Sequence, residues 1–351
     1  MSNENADEFR RDGVTAQKER LYRWLLASCA LVTLLVTVGI ILALLGNTLS
    51  FFDAVSIVDY LTGTDWSPRI GESVYGVLPL LSGTLIVTLV AALIALPIGL
   101  AIAIYLSEYA SPRVRAVLKP ALEILAGVPT VIYGYFALVY LTPLINDTLG
   151  LPRSLTLIPE SLAFSVPVIP DGLPVVPEFT VVLDTFTLVV PSLRALNVLS
   201  ASVVVGLMII PMVSSISEDA LSAVPDSLRE AGYGLGSSKF DVSTKVVVPA
   251  AVSGIISSYV LALSRAIGET MAVTIAAGQS PKMPIFPNVL ENLVQSTQTL
   301  TASMVKLANA ESRGGTDLDA IFALGMTLFV FTLTMNILAE FVRRRYREEY
   351  S

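Results

Sequence analysis

Residues 25–45 read LLASCALVTLLVTVGIILALL, a run without one charged side chain. About 20 apolar residues in a helix match the hydrocarbon thickness of a bilayer, so this run reads as a membrane span. A cleaved signal peptide would have a shorter apolar core, about 7–15 residues, and a small-x-small cleavage site. No such site closes this run cleanly, so it is read as a retained first span. The same composition continues beyond it: 54% of the 351 residues are hydrophobic, 15% are charged and mean hydropathy is +0.72. A soluble domain carries about a quarter charged residues. The chain is therefore expected to be an all-α polytopic membrane protein with six transmembrane helices, near 25–45, 82–106, 121–143, 196–215, 250–277 and 320–342. Pro97, Pro129, Pro143 and Pro211 fall in or beside these runs, where neighbouring helices can satisfy the freed carbonyls.

Residue types absent from the chain exclude much chemistry. There is no histidine, so His-based metal sites, Ser-His triads and the usual proton shuttle drop out. The one cysteine, Cys29, lies inside the first run and cannot form an intrachain disulfide. No cofactor, metal or nucleic-acid partner is expected, and the lipid bilayer is the expected surrounding. Orientation follows from basic residues. With the N-terminus inside, fifteen Lys and Arg fall in inside segments and six in outside ones. That bias places both termini in the cytoplasm of a cell-membrane protein. The net charge of −7 then falls mostly on the outside loops, through Asp53, Asp59, Asp65, Asp317 and Asp319 among others.

The expected organisation is a mixed-charge segment 1–24, a first span with its external loop 25–81, a permeation core 82–342 and a basic tail 343–351. Within the core, 146–195 is rich in Pro and Val, and FTVVLD (179–184) is echoed by FTLVVP (186–191). Short strands with a turn near Asp184–Thr185 fit this better than a seventh span, making a small external β-like insertion. Residues 288–310 have helical spacing and are expected against the outer face.

The cytoplasmic loop 217–249 holds all but the last residue of PDSLREAGYGLGSSKFDVSTKVVVPA, Pro225 to Ala250. Ser227 and Glu230 have capping-box spacing, so a helix is expected to start there. It should stop at Gly236, with Ser237 or Ser238 starting a second helix. GYGLGSSK is not a phosphate-binding loop: Lys239 comes three residues after the last glycine, and a helix rather than a strand precedes it. If ATP drives this protein, another chain hydrolyses it.

One further stretch, RAIGETMAV (265–273), puts Arg265 and Glu269 in the middle of the fifth apolar run. A charge at mid-depth costs about 2.5–3.5 kcal/mol on insertion scales. Spaced four apart on one helix, the two can pair. Three readings compete: a structural ion pair, proton coupling through Glu269, and contact with an anionic substrate through the planar donor fork of Arg265. The last is preferred, because a buried pair is weak as a source of stability alone.

Two motifs carry a family resemblance. Glu230-Ala231-Gly232, three residues, Gly236, nine residues, then Val246-Val247-Val248-Pro249 is similar to the cytoplasmic signature E-A-A-x3-G-x9-I-x-L-P of ABC importer membrane subunits. SRAIGETMAV resembles the fifth-span motif of phosphate-importer permeases, and E-T-M-A-V is the form of the PstC type; the PstA type tends to read E-T-A-P. YGVLPLLSGTLIVT (75–88), SEYASPRVR (107–115), LAGVPTVIYG (125–134) and FALGMTLFVFTLTMNILA (322–339) agree with it. The resemblance implies a MetI-like permease that pairs with a PstA-type permease, a PstB-type ATPase dimer and an external phosphate-binding protein, and that passes inorganic phosphate inward. It implies Arg265 and Glu269 on the substrate path, with Thr130 and Tyr133 as further lining candidates. It assigns ATPase coupling to Glu230, Ala231, Gly232 and Gly236, and no catalytic residue to the chain. Sulfate, molybdate or phosphonate as the anion, a proton-coupled secondary transporter using Glu269, and a membrane scaffold or sensor that carries no flux remain as alternatives.

Overall fold

The computed structural model describes residues 13–68, 73–148, 155–156, 187–188, 194–285, 289–309 and 315–345. Apolar runs become helices because a helix satisfies its own backbone groups where there is no water to do so. The first, α1 (Gly13–Ala54), is followed by a short α2 (Ile57–Thr62) and a two-residue hairpin, β1 (Trp66–Ser67) against β2 (Val74–Tyr75). Next comes α3 (Leu78–Ile104), which ends in one widened i→i+5 turn, Tyr105–Tyr109. After it come α4 (Pro112–Ala126), α5 (Thr130–Phe136), a second widened turn at Ala137–Leu141, and α6 (Thr142–Thr148). Leu155–Thr156 (β3) pairs antiparallel with Thr187–Leu188 (β4). The remainder is α7 (Val198–Ser222), α8 (Asp226–Gly234), α9 (Lys239–Val242), a third widened turn at Ser243–Val247, α10 (Val248–Ala250), α11 (Val252–Ile267), α12 (Met271–Ala276), α13 (Val289–Val294), α14 (Leu300–Ala308) and α15 (Thr316–Arg345).

Among the described residues, four helical stretches are long and apolar enough to cross a membrane: Lys18–Ala54, Leu78–Tyr109, Val198–Ser222 and Thr316–Val342. Two bent pairs raise the number to six if each is one span. All six expected runs fall on these elements, but the third and fifth are not continuous helices. The third is broken between α4 and Thr130–Asp147, with an 87° bend. Gly127 caps α4, and Pro129, which lacks an N–H and disfavours helix in the residue before it, has extended backbone (ψ 134°). The fifth bends by 70° between Lys239–Ala250 and Val252–Ile267 and breaks again at Gly268–Thr270.

The centre of the bundle is α3 lying along α7. Small residues let the two backbones approach, as is usual where packing rather than water expulsion joins helices. A Cβ on Gly206 would lie 3.2 Å from the Ala91 carbonyl oxygen. Ala91, Ala95, Ala201, Val205, Met208 and Ile209 are buried there, with Tyr133, Ala262 and Val273 closing the same core. At one end of the bundle a second core joins Phe51, Tyr60, Trp66 and Tyr75 to α14 and α15. Its rings pack edge to face, and burial pushes the Tyr60 phenol up to about 12. At the other end, called here the loop end, Leu221, Val224, Val242, Val247, Ala251 and Ile255 fix α8–α10 beneath α7 and α11. Residues 25–45 of α1 have no buried side chain, and the helix packs mainly beside α15.

Within 288–310, Leu300, Thr301, Ala302 and Ser303 of α14 are buried between α3, α12 and α15, so this part of the segment packs into the bundle. The Leu300 N–H donates to Thr84 Oγ1 (3.0 Å) and Thr301 donates to the Glu269 carbonyl (2.9 Å). Of the 146–195 insertion, the β3–β4 pair is strand-like; the expected hairpin of 179–184 with 186–191 lies otherwise outside the described residues.

Candidate functional site

A cavity of about 320 Å³ with charged lining opens between the widened turn after α3, α4, α7 and α11. Its apolar lining includes Leu106, Leu122, Met208 and Met212, and its ionisable lining is Lys119, Glu123, Glu218 and Arg265. The break before Pro129 creates it. By turning α4 across the bundle, the break sets one face of α4 over α7 and leaves a gap beside α11. Tyr133, on α5, closes the elbow by donating to the Leu125 carbonyl at 2.8 Å.

Glu218 has no exposed surface, yet it is doubly paired. Arg115 and Lys119, one helical turn apart on α4, both reach it, Lys119 at 2.7 Å. Lys119 also meets Asp219 at 2.9 Å, and Ser222 donates to Glu218 at 3.2 Å. A buried carboxylate needs such partners, because the desolvation of an unpaired charge costs several kcal/mol. This cluster clamps α4 to α7, and the sequence reading missed it. Lys119 entered that reading only as an inside charge, Arg115 also as the end of SEYASPRVR, and Glu218 entered no motif. The i,i+4 spacing of Arg115 and Lys119 was the available signal.

Arg265 sits in the last turn of α11, exposed to the cavity. No carboxylate of the described residues lies within the 4.0 Å that defines an ion pair. Glu269 is elsewhere. The helix ends at Ile267, so the two residues do not share one helical face, and the expected facing pair is not formed. Glu269 lies in the break, is buried, and is absent from the cavity lining. Its carboxylate accepts the Ala272 N–H at 3.2 Å at the start of α12, where a negative charge suits the orphan N–H groups. Of the expected path residues, the structure places Arg265 on the cavity lining and Tyr133, Thr130 and Glu269 off it. Thr130 opens α5 and is half-buried.

At the loop end the chain forms the expected helical hairpin, with one cap moved. Pro225 precedes α8, which begins at Asp226, so Ser227 is already inside the helix and does not cap it. The capping geometry occurs instead at α9. Ser238 Oγ accepts the Asp241 N–H (3.2 Å) and donates to the Asp241 carboxylate (2.6 Å). Lys245, then Ser238, hold the Asp241 carboxyl below its ordinary value. Gly236 terminates α8 as expected, with φ +81°; Ser237 N–H returns to the Gly232 carbonyl (3.2 Å). Gly232 is buried, and a Cβ there would lie 2.9 Å from Val242 Cγ2. Glycine at this signature position lets α8 and α9 close on each other. Glu230, Ala231 and Gly236 are exposed, beside the protruding side chains of Leu235 (87% exposed) and Phe240 (66%).

Comparison with known proteins agrees with this architecture. Residues 95–348 match the family described as binding-protein-dependent transport system inner membrane component. The chain is 29% identical, over 92% of its length and 90% of the relative's, to a probable ABC transporter permease protein, YqgH, of Bacillus subtilis. It is 31% identical to the phosphate transport system permease protein PstC of Haemophilus influenzae, over 80% of this chain and 79% of that one. In fold it is similar to a chain of a bacterial alginate ABC transporter, with TM-score 0.58, 14% identity, and 93% and 96% of the two chains covered.

Proposed function

The chain belongs to the binding-protein-dependent transport system inner membrane components, a multi-pass ABC importer permease of the plasma membrane, and from that premise we propose that its cargo is inorganic phosphate. It is the PstC-type half of a heterodimer with a PstA-type permease, driven by a PstB-type ATPase dimer and fed by an external phosphate-binding protein. The loop end and both termini face the cytoplasm. The similarity to PstC proteins at about 30% identity supports this cargo. The observation that carries the site is the state of the cavity's cations. Lys119 is held by Glu218 and Asp219, whereas Arg265 has no carboxylate partner and faces the cavity. A planar guanidinium with open donors fits the oxygens of a phosphate ion. The carboxylates Glu123 and Glu218 on the same lining weaken anion retention, which suits release. Tyr133 and Thr130 edge this path, and Glu269 acts from outside it by holding the α11–α12 break.

Glu230, Ala231 and Gly236, with Leu235 and Phe240 around them, form the surface that docks on the ATPase, and Gly232 serves that surface from within by permitting α8 and α9 to pack. The test is phosphate uptake by the reconstituted complex carrying Arg265→Gln. Charge-assisted hydrogen bonds are each worth about 1.5–3 kcal/mol, so uptake should fall by at least about tenfold while the ATPase subunits still co-purify. Wild-type uptake in that variant would remove Arg265 from the path. Uptake of sulfate or molybdate in preference to phosphate by the wild type would replace the cargo.

A further inference from the structure

Both helices of the coupling hairpin rest on the same short element, the widened turn Tyr105–Tyr109 at the cytoplasmic end of α3. From α8, Arg229 Nη2 and Nε donate to Glu108 Oε1 at 3.0 and 3.3 Å. From α9, the Lys239 ammonium stands 5.0 Å from the centre of the Tyr109 ring. Arg229 is otherwise saturated. It donates to the Leu221 and Val224 carbonyls at the end of α7 (2.8 and 2.6 Å) and to Asp226 (3.1 Å). Glu108 is only 4% exposed and Arg229 15%, so water screens this contact little.

The turn itself leads into the transport cavity. Leu106, two residues before Glu108, is buried and lines the same cavity as Arg265. The turn closes with an i→i+5 bond, Ala110 N–H to the Tyr105 carbonyl at 2.8 Å. Widened turns of this kind are local departures from the helical optimum and concentrate at functional sites. A charged, shielded contact at one end and a cavity-lining side chain at the other, joined by a turn of non-standard pitch, make a short mechanical link. Val224 and Leu221 alone would tie the hairpin to α7. The pair with Glu108 ties it to α3 as well.

We propose that Glu108 is a positioning residue of transport: through its pair with Arg229 it carries displacement of the coupling hairpin into the 105–109 turn, and so into the cavity wall at Leu106. This rests on the ATP-driven permease reading above. In the static structure the pair also helps pack the hairpin, so the readout has to separate coupling from folding.

The experiment measures phosphate taken up and ATP hydrolysed in proteoliposomes containing the whole complex, for wild type, Glu108→Gln and Glu108→Asp. Glu108→Gln should assemble with its ATPase and hydrolyse ATP, while the ATP spent per phosphate imported rises by roughly tenfold, within the range spanned by coupling between separated sites. Glu108→Asp, which keeps the carboxylate for Arg229, should bring that ratio back toward the wild-type value. An unchanged ratio in Glu108→Gln would overturn the proposal. Loss of assembly in Glu108→Gln would also overturn it, by assigning the residue to folding, and so would a Glu108→Asp complex that assembles with its ratio unrestored. A wild-type complex that imports another anion and not phosphate would count against the cargo alone, since the ratio for that anion still tests Glu108.

Discussion

Glu218 illustrates how a single residue can decide local geometry without appearing in any motif. Its side chain is wholly buried, while Arg115 and Lys119 keep 40% and 31% of their side chains exposed. Removing the acid would leave Lys119 with Asp219 alone and Arg115 with the Ser222 hydroxyl in place of a carboxylate. Breaking a buried pair costs about 3–5 kcal/mol, and partial solvation of both cations puts Glu218→Ala at or below the lower end of that range. Thermal unfolding of the purified complex should register the loss, and α4 should become accessible to protease. Arg265 is the contrasting case. The sequence alone singled it out as a charge in an apolar run. The partner expected for it was wrong, because helical spacing predicts a pair only if the helix continues. Gly268 ends the helix, and the Glu269 carboxylate is drawn to the next helix start.

Elements were legible where periodicity was long and uninterrupted. All six apolar runs were found, and the loop hairpin ended where its glycine required. Breaks were less legible. Pro129 was visible as a proline in the third run, but an 87° turn needs the clamp of α4 on α7, which no local rule contains. The cap at Ser238–Asp241 follows the same spacing rule as the one expected at Ser227–Glu230; Pro225 decided between them by starting α8 earlier. At Gly236 the backbone is left-handed and the space around its missing side chain is open. Gly236→Ala should therefore pay only the backbone penalty, about 1–2 kcal/mol, with no steric clash. The expected outcome is a frayed α8, seen as faster amide exchange at residues 231–237, with weakened ATPase association. Unchanged exchange would mean that the hairpin ends by packing on Val242 and not by this turn.

On the scale of the whole molecule, the cavity exists because three separate irregularities meet: the α4–α5 break, the end of α11, and the widened turn after α3. On the proposed reading, a separate ATPase supplies the energy. Uptake by cells should accordingly stop when ATP is depleted and persist when an uncoupler collapses the proton gradient at constant ATP. The reverse result would identify a proton-driven carrier. The sequence by itself determined the membrane class, the number of apolar runs, the coupling signature and the oddity of Arg265, because composition, periodicity and motif spacing are local quantities. The tertiary structure alone decided which charges meet. It paired Glu218 with α4, Glu108 with Arg229, and left Arg265 open to the cavity. Those partners lie about a hundred residues apart, and nothing short of the packed chain brings them within hydrogen-bond reach.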